Sequence, residues 1–213
     1  MSLDEYITSH IDTEPPYLYK LWRDTNVRLL RGRMASGHLQ GRLLKMIVQM
    51  TGAKNILEVG TFSGYSALCL AEGLGSEGHV YTFEINDEQE DFTRPWIEGS
   101  DYADRITFII GDAITEAPKL AEREHLTFDL AFVDGDKRTY LETYEMVLPL
   151  LRPGGLILAD NTLWDGHVLD ETPRQSDRQT LAIDAFNDFV ASDPRVTRVL
   201  LPLRDGLTLI RKN

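Results

Sequence analysis

Apolar positions between Tyr17 and Thr51 recur at helical intervals, as in Leu18, Leu21 and Trp22 and again in Leu39, Leu43, Leu44, Ile47 and Val48. Gly32 and Gly37 interrupt them, so the spacing predicts helices on either side of a loop at 32–37. From Asn55 the pattern changes. Short apolar runs at Ile56–Val59, Val80–Phe83, Ile106–Ile110, Leu130–Val133 and Leu156–Ala159 each end in small or acidic residues and lead into helix-like stretches. Strands alternating with helices predict parallel βαβ units and a sheet covered on both faces. The last two runs, Val196–Leu200 and Leu207–Ile210, are separated by a segment too short for a helical crossover and predict an antiparallel hairpin. The expected fold is therefore α/β, with seven mostly parallel strands, and no repeat, low-complexity tract or linker marks a domain boundary.

Composition narrows the function. The 213 residues carry 22 Lys and Arg against 34 Asp and Glu, a net charge of −12, which repels phosphate and anionic lipid and weighs against a general nucleic-acid or membrane-surface binder. A single cysteine, Cys69, excludes an internal disulfide and reads as a small buried hydrophobe. Met1 to His10 lack the basic start and apolar run of a signal peptide, and no apolar segment approaches the roughly 18 residues of a membrane helix, so the cytoplasm is the expected compartment.

Ligands of open α/β sheets bind at the carboxyl ends of the strands, which makes the turns there informative. After the first strand, Glu58-Val59-Gly60-Thr61-Phe62-Ser63-Gly64-Tyr65-Ser66 is a glycine-containing turn without the GxGxxG spacing of a pyrophosphate cradle. Gly60 permits close backbone approach, while Glu58 would repel phosphate and accept from an ammonium group, which predicts a zwitterionic or cationic cofactor. Glu84 closes the second strand where an acid can take both hydroxyls of a ribose. Asp112 and Ala113 follow the third, one an acceptor for an exocyclic amine or a helix cap, the other small enough to leave room for adenine. The fourth and fifth strands run into Asp134 and into Asp160-Asn161, hard oxygen ligands suited to Mg²⁺, Mn²⁺ or Ca²⁺. Lys137, three residues beyond Asp134, is read as facing the same pocket, where burial and a neighbouring dication favour the neutral amine of a general base.

Taken as an ordered set, ILEVGTFSGYSALCLA, FEIN, GDA, FVDGDKRTY, LLRPGGLILADNTLWDG with its Pro-Gly-Gly turn, and DGLTLIRK resemble the metal-dependent class I S-adenosylmethionine O-methyltransferases, within them the caffeoyl-CoA and catechol O-methyltransferase-like group and its small bacterial members. The resemblance covers about residues 30–213. It implies a single Rossmann-like methyltransferase domain over 1–213, with an N-terminal helical cap at 1–53 and a core at 54–213, and commonly a homodimer. By the same resemblance Met34 covers the cofactor, Glu58, Gly60 and Ser66 hold its methionine part, Glu84 the ribose, and Asp112 and Ala113 the adenine. Asp134 lies beside the cofactor and, with Asp160 and Asn161, binds the metal. Lys137 is the base and Trp164 packs on the aromatic acceptor. The chain departs from the family in Ala35, in the order Gln40-Gly41, and in the loop Val168 to Thr180, which carries Arg174 and Arg178 and lacks the tyrosines that plant members place near the CoA ester; the last weighs against a CoA-linked acceptor.

The expected reaction is divalent-metal-dependent methyl transfer from S-adenosylmethionine to one hydroxyl of a small catechol-like molecule. One alternative keeps the chemistry and changes the acceptor to 5-hydroxyuridine in tRNA, with Arg28, Arg31, Arg33 and Arg42 as a local basic face. A remote one is an NAD-dependent oxidoreductase, against which the missing GxGxxG argues.

Overall fold

The alternation of apolar runs with helical stretches is realised in the computed structural model, which describes residues 1–170 and 177–213. The seven strands are β1 (Asn55–Val59), β2 (His79–Glu84), β3 (Ile106–Ile110), β4 (Phe128–Val133), β5 (Leu151–Asp160), β6 (Val196–Leu201) and β7 (Leu207–Lys212). The α-helices among the described residues are α1 (Leu3–Thr8), α2 (Pro16–Arg28), α3 (Gly37–Thr51), α4 (Tyr65–Gly73), α5 (Glu90–Glu98), α6 (Ala113–Glu124), α7 (Tyr140–Leu150) and α8 (Arg178–Ser192). None of them is long and apolar enough to cross a membrane. Two compact units result, residues 1–54 with 61–110 and residues 55–60 with 111–213.

In the first unit β2 and β3 run parallel, from Val80 opposite Ile106 to Glu84 opposite Ile110. The helical spacing noted above gathers Leu18 and Leu21 of α2, Leu44, Ile47 and Val48 of α3, and Tyr65, Leu68 and Cys69 of α4 out of solvent. Gly41 stands where α3 meets α4, since a Cβ there would lie 2.7 Å from Cys69 Sγ and 3.0 Å from Tyr65 Cε1. The departure at Gln40-Gly41 thus has a packing reason. Cys69 is the buried residue expected, its thiol pushed up to about 12 by burial. The helix α1 lies in the polar stretch where none was expected; a capping box starts it, with Glu5 N–H donating to Ser2 Oγ and Ser2 N–H to Glu5 Oε2.

Arg42 corrects the reading of a four-arginine basic face. It is 6% exposed and donates to both oxygens of Glu72, at 3.0 and 2.6 Å, where Lys45 adds a third hydrogen bond at 2.8 Å. Burial alone would raise the Glu72 pKa, but the hydrogen bonds from Arg42 and Lys45 outweigh it and hold the carboxyl below its ordinary 4.5. A carboxyl depressed on folding contributes stability above its unfolded pKa and loses it as pH falls through the folded one. The denaturation midpoint is therefore expected to drop on acidification below about pH 4.5, and Glu72→Gln, followed by chemical denaturation across pH 3–7, is expected to flatten that dependence. An unchanged pH profile in the variant would show that the pair adds nothing in this window.

In the second unit the strand order is β1-β4-β5-β7-β6. The pairs β1–β4 and β4–β5 are parallel, whereas β7 runs antiparallel to both β5 and β6, as the short final connection requires. Buried Ile56, Leu57, Leu130, Phe132, Ile157, Leu158 and Ile210 form its sheet core. Phe186 of α8 meets Tyr140 and Tyr144 of α7 edge-on at 5.4 and 6.1 Å. One expectation is corrected. The Pro-Gly-Gly sequence is not a turn before β5 but an irregularity inside it. The register with β4 shifts between Phe128 and Leu130, and Gly154 adopts φ +75°, a conformation glycine takes at little cost. Of the late loop, residues 171–176, Arg174 among them, lie outside the described residues, while Arg178 opens α8.

Candidate functional site

Parallel pairing of β4 with β5 sets Val133 opposite Ala159, so the next residue on each strand, Asp134 and Asp160, emerges at the same edge. Asp134 N–H donates to Val59 O at 2.8 Å. Beside it Gly60 has φ +98°, and a Cβ there would lie 2.5 Å from the Asp134 carbonyl oxygen. Only glycine fits that approach, which accounts for Gly60 independently of any ligand. Asp160 is 2% exposed and accepts from Asn161 N–H at 2.9 Å.

Lys137 opens a 3-10 turn, Lys137–Thr139, capped by Asp136, which accepts from Arg138 N–H at 3.0 Å and also pairs with the Arg138 guanidinium. Asp136 is thereby engaged and Lys137 turns inward, 6% exposed. Its Nζ donates to Asp134 Oδ1 at 2.8 Å and to the Tyr140 hydroxyl at 2.6 Å. That hydroxyl in turn donates to the carbonyl oxygens of Asp160, at 2.7 Å, and Val133, at 3.1 Å. The structure thus joins Asp134, Lys137 and the end of β5 through Tyr140, a residue the sequence reading passed over although its i, i+3 spacing from Lys137 was the available signal. Burial, then the charges of Asp134, Asp160 and Asp205, drive the Tyr140 phenol far above its ordinary pKa. Asp205, also missed, has its carboxyl raised by burial against the opposing hydrogen bond from Asp165 N–H.

Asp134, Lys137 and the end of β5 thus converge on one buried phenol. The donors singled out, two carboxylates and the Asn161 amide, are all oxygen and suit a hard divalent ion. Among the described residues no group of three or more His, Cys, Asp and Glu side chains is gathered to hold a metal, so such an ion here depends on the amide and on water or ligand oxygens. Asn161 has φ +57°, and Trp164, half-buried at the start of the 3-10 turn Trp164–Leu169, has φ +50°. Glu58 is fully buried. Asp112 caps α6, its Oδ1 accepting from Ile114 N–H at 3.0 Å, and Ala113 follows at 5% exposure.

In the first unit, Glu84 is 8% exposed and held by two main-chain donors. Phe62 N–H reaches Oε2 at 2.8 Å and Asn86 N–H reaches Oε1 at 2.9 Å. Phe62 adopts φ +47°, a sparsely populated conformation for a bulky residue. Ser66 is buried in the first turn of α4, and Met34 is 49% exposed in the 3-10 turn Gly32–Met34. Ser63, which no motif had singled out, is 1% exposed, and its hydroxyl has no hydrogen-bond partner among the described residues. Leaving such a group without a partner costs about 1–3 kcal/mol.

The O-methyltransferase family matches the chain over residues 8–213. Tricin synthase 2 of Oryza sativa subsp. japonica is 39% identical over 187 residues, covering 85% of this chain; the match spans 64% of that protein's length. Caffeoyl-CoA O-methyltransferase 2 of Zea mays is 35% identical over 218 residues, covering 99% of this chain and 82% of that protein. Among solved structures, the O-methyltransferase TomG from Streptomyces achromogenes, in complex with SAM, has a TM-score of 0.90 at 28% identity and covers 99% of this chain and 96% of its own. The O-methyltransferase from Bacillus cereus in complex with SAH has a TM-score of 0.87 at 29% identity, covering 99% and 97%.

Proposed function

The chain belongs to the O-methyltransferase family and is an S-adenosylmethionine-dependent O-methyltransferase; from that premise we propose that it transfers the methyl group to one hydroxyl of a vicinal aromatic diol with the help of a divalent cation. The observation that carries this reading is the buried Lys137 side chain, its Nζ bonded to Asp134 and Tyr140 at the edge where Asp160 and Asn161 emerge.

Asp134, Asp160 and Asn161 would hold the cation, Mg²⁺ in the first instance. When bound it supplies Lewis acidity that lowers the pKa of a hydroxyl it touches. Lys137 Nζ accepts the proton of the reacting hydroxyl, with Asp134 Oδ1 and the Tyr140 hydroxyl fixing its position. S-adenosylmethionine, when bound, would supply the methyl group that the deprotonated hydroxyl takes up, and would leave as S-adenosylhomocysteine. Holding both reactants aligned contributes on the order of 7–11 kcal/mol in well-oriented systems. Trp164 packs against the acceptor ring. For the cofactor, the family resemblance assigns Glu58, Gly60 and Ser66 to the methionine part, Glu84 to the ribose, Asp112 and Ala113 to the adenine, and Met34 to its cover. Phenolic acceptors accord with the names of the relatives, caffeoyl-CoA O-methyltransferase among them.

The test is methyl transfer from labelled S-adenosylmethionine to caffeic acid in Mg²⁺, in EDTA, and after metal is restored. Turnover is expected to vanish in EDTA and return with the metal. Equal turnover in all three conditions would sink the metal-assisted mechanism while leaving the methyltransferase reading intact.

A further inference from the structure

The stretch from Asn161 to Gly166 leaves β5 in a conformation that few sequences tolerate. Asn161, Trp164 and Asp165 have φ +57°, +50° and +52°, and Gly166 has φ +81°. Left-handed conformations cost non-glycine residues free energy and persist where surrounding contacts over-determine them. Those contacts come from the turn between β6 and β7. Thr162 N–H donates to Gly206 O at 3.1 Å and Leu163 N–H to Asp205 O at 2.8 Å, while Asp165 N–H donates to the Asp205 side-chain oxygen Oδ1. The turn is closed by Gly206 N–H on Leu203 O at 2.9 Å, and Gly206 lies so near that a Cβ would stand 2.6 Å from Leu163 N. Asp205 thus receives two of the three main-chain donors, one on its carbonyl and one on its carboxylate.

We infer that Asp205 is a positioning residue for the acceptor end of the active site, its side chain locking the left-handed loop that carries Asn161 and Trp164. The inference rests on the proposed function, in which Asn161 is a cation ligand and Trp164 faces the acceptor. An oxygen at Oδ1 does the locking; the negative charge is not required, because the donor is a neutral peptide N–H. Without it Asp165 loses its clamp and the loop relaxes, displacing Asn161 and Trp164 together. Outer groups that orient ligands cost about 10–100-fold in metal affinity or activity when removed.

The experiment compares the full-length chain with Asp205→Ala and Asp205→Asn, reading Mn²⁺ affinity by electron paramagnetic resonance, S-adenosylmethionine affinity by calorimetry, and kcat and KM with caffeic acid. Asp205→Ala is expected to weaken Mn²⁺ binding and raise the caffeic acid KM by about 10–100-fold, with the fall in kcat smaller and S-adenosylmethionine binding unchanged. Asp205→Asn, which keeps an accepting oxygen, is expected to recover most of both losses. Wild-type values in Asp205→Ala would overturn the inference, as would equal damage in the two variants, which would make charge the requirement. Loss of S-adenosylmethionine binding in Asp205→Ala would show a general structural role and overturn it too. A wild-type chain that binds no Mn²⁺ and turns over without metal would remove the proposed metal chemistry itself, a result distinguishable from all of these.

Discussion

Replacing Lys137 by methionine is expected to lower kcat with a catechol acceptor by about 10²–10⁴-fold, the usual contribution of a positioned general base, while S-adenosylmethionine still binds. Methionine keeps the length of the side chain and removes only the amine. The buried site accommodates it, because the lysine stem is already packed out of solvent. Lys137→Arg is not expected to rescue turnover. A guanidinium keeps its proton at any working pH and cannot take one from the acceptor. Removing Nζ also takes away its hydrogen bonds to Asp134 and the Tyr140 hydroxyl, so the variant's thermal midpoint is to be measured beside its rate. Single-turnover rates at saturating acceptor separate chemistry from binding. A kcat within twofold of wild type in a folded Lys137→Met variant would remove lysine from the mechanism.

The sheet was legible because short apolar runs ended by acids have few other readings; every predicted run became a strand, and Ile106–Ile110 kept both its ends. The start of β5 was not, since Pro153-Gly154-Gly155 carries the strongest local turn signals, and it is the pairing of Leu151 with Phe128 of β4 that extends the strand back across them. The start of α1 was hidden because a capping box acts through two polar side chains and leaves no apolar period. At the site, Asp134, Lys137, Asp160 and Asn161 were readable as residue types at strand ends. Their linkage through Tyr140 was not, because a tyrosine in an apolar helix reads as core until its hydroxyl is seen bonded to Lys137 and two carbonyls. Asp205 was out of reach for a different reason. It lies 44 positions after Asn161, and only the register that pairs Asp160 with Leu207 brings the two loops together. Arg42 shows the converse, a charge that looked solvated by composition and is buried by an ion pair across helices.

Asp160→Ala is expected to abolish metal-dependent turnover, by roughly 10²–10³-fold or more if the lost Lewis acidity is worth about 3–4 kcal/mol, with S-adenosylmethionine affinity nearly unchanged. Of the two carboxylates proposed as cation ligands, Asp160 is the one with no proposed role toward the cofactor. Glu58, Glu84 and Asp112 are the acids read for the cofactor, and Asp134 is read for both. Its carboxylate also accepts from Asn161 N–H, so alanine removes one proposed ligand and loosens the backbone of a second, which makes the loss larger than one ligand's share. The expected signature is a metal titration rather than a rate alone. Raising Mg²⁺ or Mn²⁺ to tens of millimolar is expected to restore part of the activity, because mass action can offset a weakened site. Asp160→Asn, which keeps an oxygen and the hydrogen bond to Asn161, is expected to fall between alanine and wild type in the metal concentration it requires. If Asp160→Ala turns over normally at micromolar metal, Asp160 is a strand-end acid and the cation sits elsewhere. If it is inactive at every metal concentration and also loses S-adenosylmethionine, the residue holds the end of β5 together instead. Only the combination of retained cofactor binding, lost turnover and partial rescue by excess cation assigns it as a ligand.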